Sequence, residues 1–496
     1  MEAMLAARPL RLTRRQTAAC VRAPSPQPNV PGRGIVASYG LRFWLLVVAI
    51  GVGSGLGGAA LMEILRAVQH LAWAYHGPGI ETITFLAAVE RSSAARRVLV
   101  LAIGGAIAGG GAILLARRGG ASEVSSAIWL RGARLPFAAS LARAVHSIVL
   151  VGLGASLGRE AAPQQTGAAL ASALSVRAGL PEWQRRLLVA CGAGAGMAAV
   201  YNVPLGGALF ALEVLLGTLT LPLVLPALAT ALLATAVAWI ALPNRPTYLI
   251  PSYDIHASQV VWALIVGPIA GLAAVAYIRL IAGAHALRPS SDRTRVVAPL
   301  LVFTALGVLA IAYPQVLGNG KNVVQLAFVG RLSVTLLAVL FVLKPIATAA
   351  CLGSGAPGGL FTPTLAYGVL LGGLLGEGWS QIWPGAPSGS YAIIGGAAVL
   401  GAAMQGPLAA VVLLLELTHR ADALAVPILL AVVEATVLAR LMGAPSIYSA
   451  RLSAGKDDAS AGTTSSEDAG GAETERATGA PSDLLPAAWP QPERDT

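Results

Sequence analysis

Long stretches with almost no charged residues are the feature that most restricts how this chain can fold. Six stretches of about twenty residues are almost continuously apolar: 43–61, 98–116, 221–242, 260–278, 297–313 and 424–442. An α-helix needs about twenty apolar residues to cross the hydrocarbon core of a bilayer, because it rises about 1.5 Å per residue. Strands of a membrane barrel instead alternate apolar and polar residues over segments of about ten. The sequence therefore predicts an all-α, polytopic membrane protein.

Composition and charge exclude several other classes of function. Only 11% of the residues are charged, whereas a soluble domain usually carries about 25%. The formal charge of +11 comes mostly from arginines at the ends of apolar runs, which is the pattern that sets membrane topology, so we expect no nucleic-acid binding. The six histidines are scattered without ligand spacing, so neither a metal nor a cofactor is predicted. We expect a protein that is not an enzyme; a membrane-embedded enzyme and a transport-inactive scaffold are the competing classes.

The chain divides into three segments by composition. Residues 1–41 are rich in arginine and contain Glu2 as their one acid, which predicts a cytoplasmic N-terminal segment, with a transit peptide as the alternative. Residues 42–452 form the predicted membrane domain. Residues 453–496 are rich in Ala, Ser, Gly, Asp and Glu, which predicts a disordered acidic tail. We expect a multi-pass protein of a bacterial inner membrane with both termini in the cytoplasm.

The two halves of the membrane domain contain an internal repeat. The motifs follow in the same order in both copies: Gly158-Arg159-Glu160-Ala161-Ala162-Pro163, Asn202-Val203-Pro204-Leu205 and Glu213 in the first, and Gly359-Leu360-Phe361-Thr362-Pro363, Gln405-Gly406-Pro407-Leu408 and Glu416 in the second. In each copy the last proline precedes the glutamate by nine positions. Such repeats commonly enclose the substrate site of a transporter. We therefore expect the site to lie between the two copies.

Each copy contains a Gly-rich stretch with a proline directly before a helical run. Residues 152–163 and 353–363 are therefore predicted to be re-entrant loops that lead into helix N-termini, which are tolerated at membrane depth only where protein or a watery cavity surrounds them. The first turn of a helix has up to four unpaired N–H groups and about half a positive charge. Two such turns aimed at one point would form an anion site without a full positive charge.

Carboxylates within the apolar region are the strongest candidates for function. Glu160 would be costly in lipid, and an ionised Glu160 would occupy the helix N-termini as a tethered anion and block the path of a free one. The alternative is a structural pair with Arg159. A shared structural role is one of two open interpretations of Glu213 and Glu416, since both end similar apolar runs. Lys344, near Pro345, is expected to extend to the membrane interface.

Three of these features resemble the CLC family of chloride channels and transporters: Gly158-Arg159-Glu160, the 353–363 stretch, and Ile447-Tyr448-Ser449 after the last apolar run. The match is colinear from about Arg42 to Leu452. The resemblance implies an inverted-repeat fold with broken and re-entrant helices, a homodimer with one pore per subunit, and chloride as the transported anion. It identifies Glu160 as the gating glutamate. It further implies that the anion is bound by Gly119, Gly120, Arg159, Ala161, Leu360, Phe361 and Tyr448.

Two departures from the family pattern concern the anion site. The family's Gly-Ser-Gly-Ile-Pro motif aligns without gaps with residues 118–122, so that Gly119 stands where an ion-binding serine is usual. One hydroxyl ligand, which in the family usually contributes to the discrimination between chloride and nitrate, is thereby lost. The usual Gly-Pro after Glu160 is replaced by Ala161 and Ala162, with Pro163 one place later. Because alanine keeps its N–H group, the helix N-terminus is expected to remain a donor.

A third departure concerns proton coupling. Proton-coupled members of the family commonly carry an inward-facing glutamate at the position of Val214, directly after Glu213. A valine cannot relay protons, so the resemblance favours passive, channel-type conduction. Glu213 or internal water remains a possible proton route, and chloride/proton exchange is therefore the alternative. A fluoride exporter is a further alternative, against which Tyr448 and the intact Gly158-Arg159-Glu160 argue.

Overall fold

The computed structural model describes residues 39–74, 84–117 and 122–451, and within them it is almost entirely helical. The one β-type feature in these ranges is an isolated bridge between Gly158 and Gly359. The α-helices, numbered along the chain, are α1 (Leu41–Trp73), α2 (Phe85–Arg91), α3 (Ala94–Arg117), α4 (Val124–Leu130), α5 (Phe137–Gly152), α6 (Ala161–Arg177), α7 (Glu182–Tyr201), α8 (Pro204–Leu209), α9 (Leu221–Ala238), α10 (Ala257–Ala286), α11 (Asp292–Ala312), α12 (Lys321–Phe328), α13 (Val334–Gly353), α14 (Phe361–Ile382), α15 (Ser388–Met404), α16 (Pro407–Thr418) and α17 (Ala425–Leu441). A π-helical turn, Phe210–Leu216, continues α8. The all-α prediction is confirmed.

Seven helices of the described residues are long and apolar enough to cross a membrane. Six of them, α1, α3, α9, α10, α11 and α17, correspond to the six apolar stretches of the sequence. The seventh, α13, was not among the predicted spans. Others, such as α5 with 16 residues and α16 with 12, are too short to span the hydrocarbon core alone. The chain is an integral, multi-pass membrane protein. The N-terminal segment and the acidic tail predicted at either end lie mostly outside the described residues.

The internal repeat is visible in the order of the helices. Eight helices of the first half have counterparts in the second, in the same order: α1 and α10, α3 and α11, α4 and α12, α5 and α13, α6 and α14, α7 and α15, α8 with its π-helical continuation and α16, and α9 and α17. Helices α6 and α7 pack closely, as do α14 and α15. Gly167 faces Gly192 so closely that neither position has room for a Cβ atom, and Gly372 faces Gly395 in the same way. The inverted-repeat fold with broken helices is thus confirmed.

The two copies also cap each other's helices. Glu213 accepts hydrogen bonds from the backbone N–H groups of Leu408 (3.3 Å) and Ala409 (2.6 Å) in the first turn of α16. Glu416 accepts the equivalent bonds from Leu205 (3.0 Å) and Gly206 (2.6 Å) in the first turn of α8. A carboxylate stabilises a helix N-terminus by satisfying its unpaired donors and opposing its positive end. We call this arrangement the crossed caps. It explains the equal proline-to-glutamate spacing.

The interpretation of Lys344 as a residue extending to the interface was wrong. Its side chain is 1% exposed. The ammonium group instead donates hydrogen bonds to the carbonyl oxygens of Val316 (2.8 Å) and Gly318 (2.7 Å). These carbonyls belong to an irregular segment that includes the 3₁₀ turn Pro314–Val316, where backbone acceptors are not all taken by a helix. Paired acceptors make the burial of a cation tolerable.

Candidate functional site

Two loops bring the N-termini of α6 and α14 together. The N–H of Gly158 donates to the carbonyl of Gly359 over 2.7 Å, and the N–H of Gly359 donates back to Gly158 over 2.8 Å. A Cβ atom at either glycine would collide with the carboxylate of Glu160. Both positions therefore require glycine, because the backbones of Gly158 and Gly359 lie in contact with each other and with the carboxylate of Glu160. This antiparallel contact places the first turn of one repeat beside the first turn of the other.

Glu160 is the N-cap residue of α6, but its side chain reaches the N-terminus of α14. The residue is 1% exposed. Its Oε1 atom accepts a hydrogen bond of 2.7 Å from the backbone N–H of Phe361, the first residue of α14. Its Oε2 atom accepts from the hydroxyl of Tyr201 at 3.0 Å and lies 3.4 Å from Oγ1 of Thr362. The carboxylate therefore occupies the place where a helix N-terminus would bind a free anion.

Arg159 does not neutralise Glu160 as a structural ion pair in the described part of the chain. Its guanidinium carbon lies 4.8 Å from the centroid of the Tyr201 ring, a cation–π distance. The same ring meets Phe361 edge to face with centroids 5.6 Å apart. Tyr201 is thus held from both sides, and its hydroxyl is directed at Glu160.

A cavity extends from Glu160 along the N-terminus of α6. Ala161, Gly359 and Tyr448 line it beside Glu160. The hydroxyl of Tyr448 is buried and has no hydrogen-bond partner among the described residues. A buried, unpaired hydroxyl costs free energy unless a ligand or water satisfies it. Its position beside Glu160 suits an anion acceptor.

The structure brings most of the sequence-predicted site residues together. Glu160, Ala161 and Tyr448 line the same cavity, and the buried Leu360 and Phe361 form the start of α14. Arg159 lies next to Glu160 but against Tyr201. Gly119 and Gly120 lie outside the described residues.

Glu213 and Val214, the two residues considered for a proton route, are not among the described residues that line the cavity. Glu213 caps α16, and Val214 packs so closely against Gly406 that a Cβ atom there would meet its methyl group at 2.7 Å. The residue that lines the cavity from this segment is Leu215.

Sequence reasoning missed Tyr201 and Thr362, whose hydroxyl oxygens lie 2.7 Å apart beside the Glu160 carboxylate. A signal was available for Tyr201. It precedes Asn202, and the equivalent position of the second copy, before Gln405, is Met404. Asn202 and Gln405 both adopt positive φ angles of 59° and 58°, which establishes the equivalence. A polar residue in one copy opposite an apolar residue in the other indicates a role outside packing.

Four charged residues lie together at the cavity, and we call them the arginine cluster: Glu123, Arg143, Arg288 and Arg451. The carboxylate of Glu123 lies 3.3 Å from Arg143, 3.5 Å from Arg288 and 3.1 Å from Arg451. Glu123, Arg143 and Arg451 line the cavity. Burial would raise the pKa of the Glu123 carboxyl, but the three arginines outweigh it and hold that pKa well below its ordinary value.

The chain is similar in sequence to proteins described as chloride channels. The chain is 35% identical over 349 residues to a putative ClcB-like chloride channel protein of Ralstonia nicotianae, covering 68% of this chain and 80% of the relative. It is 35% identical over 321 residues to the voltage-gated ClC-type chloride channel ClcB of Salmonella typhimurium, covering 62% and 75%.

Solved structures share the fold at low sequence identity. A slow cyanobacterial Cl⁻/H⁺ antiporter superposes with a TM-score of 0.73 at 20% identity, covering 85% of this chain and all of the other. A CLC-type fluoride/proton antiporter superposes with a TM-score of 0.63 at 22% identity, covering 82% and 97%. The model of the voltage-gated chloride channel family matches residues 104–440, which include both re-entrant loops and both crossed caps, and this chain is a member of that family.

Proposed function

We propose that this chain carries chloride across the membrane by passive conduction and that Glu160 is the gate. The observation that carries the proposal is the hydrogen bond between Oε1 of Glu160 and the backbone N–H of Phe361. An ionised carboxylate in this place excludes a free anion from the N-terminus of α14. Protonation of Glu160, or its displacement by chloride, frees the donors and opens the path.

The chemistry of the site supports a weakly held inorganic anion. Helix N-termini and the Tyr448 hydroxyl supply N–H and O–H donors around the cavity, and no formal cation contacts the carboxylate of Glu160 in the described residues. Partial charges bind an anion and still release it, as conduction requires. The relatives are described as chloride channels, which supports chloride as the anion.

Three features support passive conduction over proton exchange. Val214 stands where a proton-carrying glutamate is usual, and the neighbouring Glu213 is engaged in a crossed cap. The other carboxylate that lines the cavity in the described residues is Glu123, whose lowered pKa keeps it ionised at neutral pH. A carboxylate that stays ionised cannot load protons for delivery to Glu160.

The experiment that tests passive conduction is a reversal potential measured in proteoliposomes under combined chloride and pH gradients. A passive pathway gives the chloride equilibrium potential, and we expect the value to stay there when the pH gradient is reversed. Chloride/proton exchange, which the description of the cyanobacterial neighbour suggests, would shift the potential with pH and would overturn the passive mechanism.

We further propose that the protein is a homodimer in a bacterial inner membrane with its termini on the cytoplasmic side. The family resemblance suggests the dimer. Exposed apolar side chains follow one stripe of α17 at Val426, Leu429, Val433 and Val437, a surface that suits either lipid or a second subunit. Cross-linking in native membranes, followed by size analysis, tests the dimer.

Tyr201 is expected to hold the gate in its blocking position. Tyr201→Phe removes the hydroxyl that donates to Oε2 of Glu160 and keeps the ring between Arg159 and Phe361. A hydrogen bond to a charged group contributes about 1.5–3 kcal/mol, so we expect chloride to displace Glu160 at a concentration about tenfold lower. The measurement is chloride flux against chloride concentration at fixed pH. The matched control is Tyr391→Phe, whose hydroxyl bonds Ser258 away from the site; equal shifts in both variants would contradict the role of Tyr201.

A further inference from the structure

A second cleft, separate from the cavity at Glu160, lies between the end of α4, the start of α7, the turn after the π-helical segment and the start of α9. Most of the residues that line it are apolar, among them Trp129 of α4, Trp183 of α7 and Leu223 of α9. Its polar lining residues are Arg186 and Thr218. We call it the interfacial cleft. Its surface suits a ligand with an apolar body and one charged group.

The interfacial cleft lies at the boundary of the hydrocarbon core. Helix α9 is long and apolar enough to span the membrane, and its first residue, Leu221, is largely exposed, so its first turn lies near that boundary. Tryptophan favours this level, because its indole ring is mostly apolar but carries an N–H donor. The ring of Trp183 lies 6.0 Å from the ring of Tyr39, just before the spanning helix α1. The interfacial cleft is therefore on the membrane face where α1 begins.

Arg186 supplies the charged group of the interfacial cleft. Its Nη2 atom lies 2.6 Å from the carboxylate of Glu182, which is not among the described residues that line the cleft. The Nε atom of Arg186 is buried and has no hydrogen-bond partner in the described part of the chain. A buried N–H group without an acceptor costs free energy unless a ligand or water satisfies it. Arg186 therefore has a donor for a ligand in addition to its ion pair.

Further arginines lie around the interfacial cleft. The turn after α4 packs on the first turn of α7, where Nε of Arg185 donates to the carbonyl of Gly132 over 2.7 Å. Arg131 and Arg134 lie on either side of this glycine in sequence, and both are exposed. With the arginine of the cleft they carry four positive charges, of which Glu182 compensates one. Basic pockets between membrane helices attract the head groups of anionic lipids.

We propose that the interfacial cleft binds an anionic phospholipid of the bilayer. The phosphodiester group accepts a hydrogen bond from the guanidinium of Arg186, and the surrounding arginines attract the negative head group. An acyl chain lies against Trp129, Trp183 and Leu223. The apolar walls would accept any lipid, whereas the unpaired donor and the excess of positive charge select an anionic one. The inference is independent of chloride transport, because its ligand is a membrane component and its measurement is lipid binding.

The test is native mass spectrometry of the full chain purified in detergent, which counts bound lipids and gives their apparent Kd. The probes are dioleoyl phosphatidylglycerol, the zwitterionic dioleoyl phosphatidylcholine, and inorganic phosphate as a competitor. We expect phosphatidylglycerol to bind about tenfold more tightly than phosphatidylcholine, because the arginines repel the choline cation. Inorganic phosphate should not displace the bound phosphatidylglycerol, because it has no acyl chain to fill the apolar part of the interfacial cleft.

Two variants test the site itself. Arg186→Gln removes a charged hydrogen-bond donor and should weaken phosphatidylglycerol binding by about tenfold or more. Its matched control is Arg295→Gln, which removes an arginine paired with Asp292 at the start of α11 and should bind the lipid like the wild type. Thr218→Trp keeps every charge and fills the interfacial cleft from the turn before α9, so it should also weaken binding. This second variant keeps the test valid if Arg186→Gln misfolds.

Several results would overturn the lipid site. Equal affinity for the two phospholipids, or equal affinity of Arg186→Gln and the wild type for phosphatidylglycerol, would show that no anionic lipid is selected. Displacement by inorganic phosphate would indicate a site for free anions instead. Unchanged binding in Thr218→Trp would place the lipid elsewhere. An altered proportion of dimer in Arg186→Gln with unchanged lipid binding would assign the interfacial cleft to a second copy of the chain.

Discussion

Replacing Glu160 by glutamine should raise chloride flux at neutral pH by about tenfold or more and remove its dependence on pH. The carboxylate is bound by the Phe361 N–H and by the Tyr201 hydroxyl. Hydrogen bonds to a charged group contribute about 1.5–3 kcal/mol each, compared with about 0.5–1.5 kcal/mol for a neutral pair. A neutral glutamine therefore competes poorly with chloride for the N-terminus of α14.

The sign of the pH effect follows from the charge of the gate. Acidification protonates Glu160, so wild-type flux should rise as pH falls and approach that of Glu160→Gln, whose flux stays constant. The measurement is chloride efflux from proteoliposomes across the acid to neutral range. Glu182→Gln, an exposed carboxylate paired with Arg186, is the matched control. Flux and pH dependence unchanged in Glu160→Gln would disprove the gate.

Removing either crossed cap should destabilise the protein by a similar amount. Glu213→Ala leaves the N–H groups of Leu408 and Ala409 without an acceptor, and Glu416→Ala does the same to Leu205 and Gly206. Loss of a helix cap costs about 0.5–2 kcal/mol, and the charged acceptor adds to this. We expect each alanine variant to lose about 1–3 kcal/mol of unfolding free energy. The two losses should be similar because the two caps are equivalent in the repeat.

The measurement is the unfolding midpoint of purified protein in detergent. Glu213→Gln and Glu416→Gln keep an acceptor oxygen and should lose about half as much stability as the alanine variants. Glu63→Ala, on the exposed side of α1 and paired with Arg66, is the control. A Glu213→Gln protein of unchanged stability that alters a proton-coupled reversal potential would instead make Glu213 a proton carrier.

The membrane helices were predictable where the apolar signal was uninterrupted. Each of the six predicted stretches overlaps a spanning helix, although α1 is longer than its stretch of 43–61 and α9 ends at Ala238, before the end of its stretch of 221–242. Helix α13 was missed because Lys344 and Pro345 interrupt its apolar run. The acceptors that neutralise Lys344 are the carbonyls of Val316 and Gly318. Such partners are set by the tertiary fold, and no local pattern in the sequence reveals them.

The site shows the same division between local and distant contacts. Both loops followed from glycines and a proline within a few residues of each other, but the helices begin at Ala161 and Phe361, slightly before the predicted loop ends at Pro163 and Pro363. The hydroxyl of Tyr201 reaches a carboxylate 41 positions away in sequence. The guanidinium of Arg451, near the C-terminal end of the membrane domain in sequence, reaches Glu123 in its first half. Neither contact has a sequence spacing that could predict it.

The crossed caps have a consequence for how the protein is made. The first turn of α8 is capped by Glu416, which is separated from Leu205 by 211 positions. A ribosome adds roughly 5–20 residues per second, so α8 leaves the ribosome roughly 10–40 s before its cap exists. During that interval the first repeat sits in the bilayer with unpaired N–H groups, whose exposure to lipid is costly. We therefore expect the first repeat to stay bound to the membrane insertion machinery until the second repeat is synthesised.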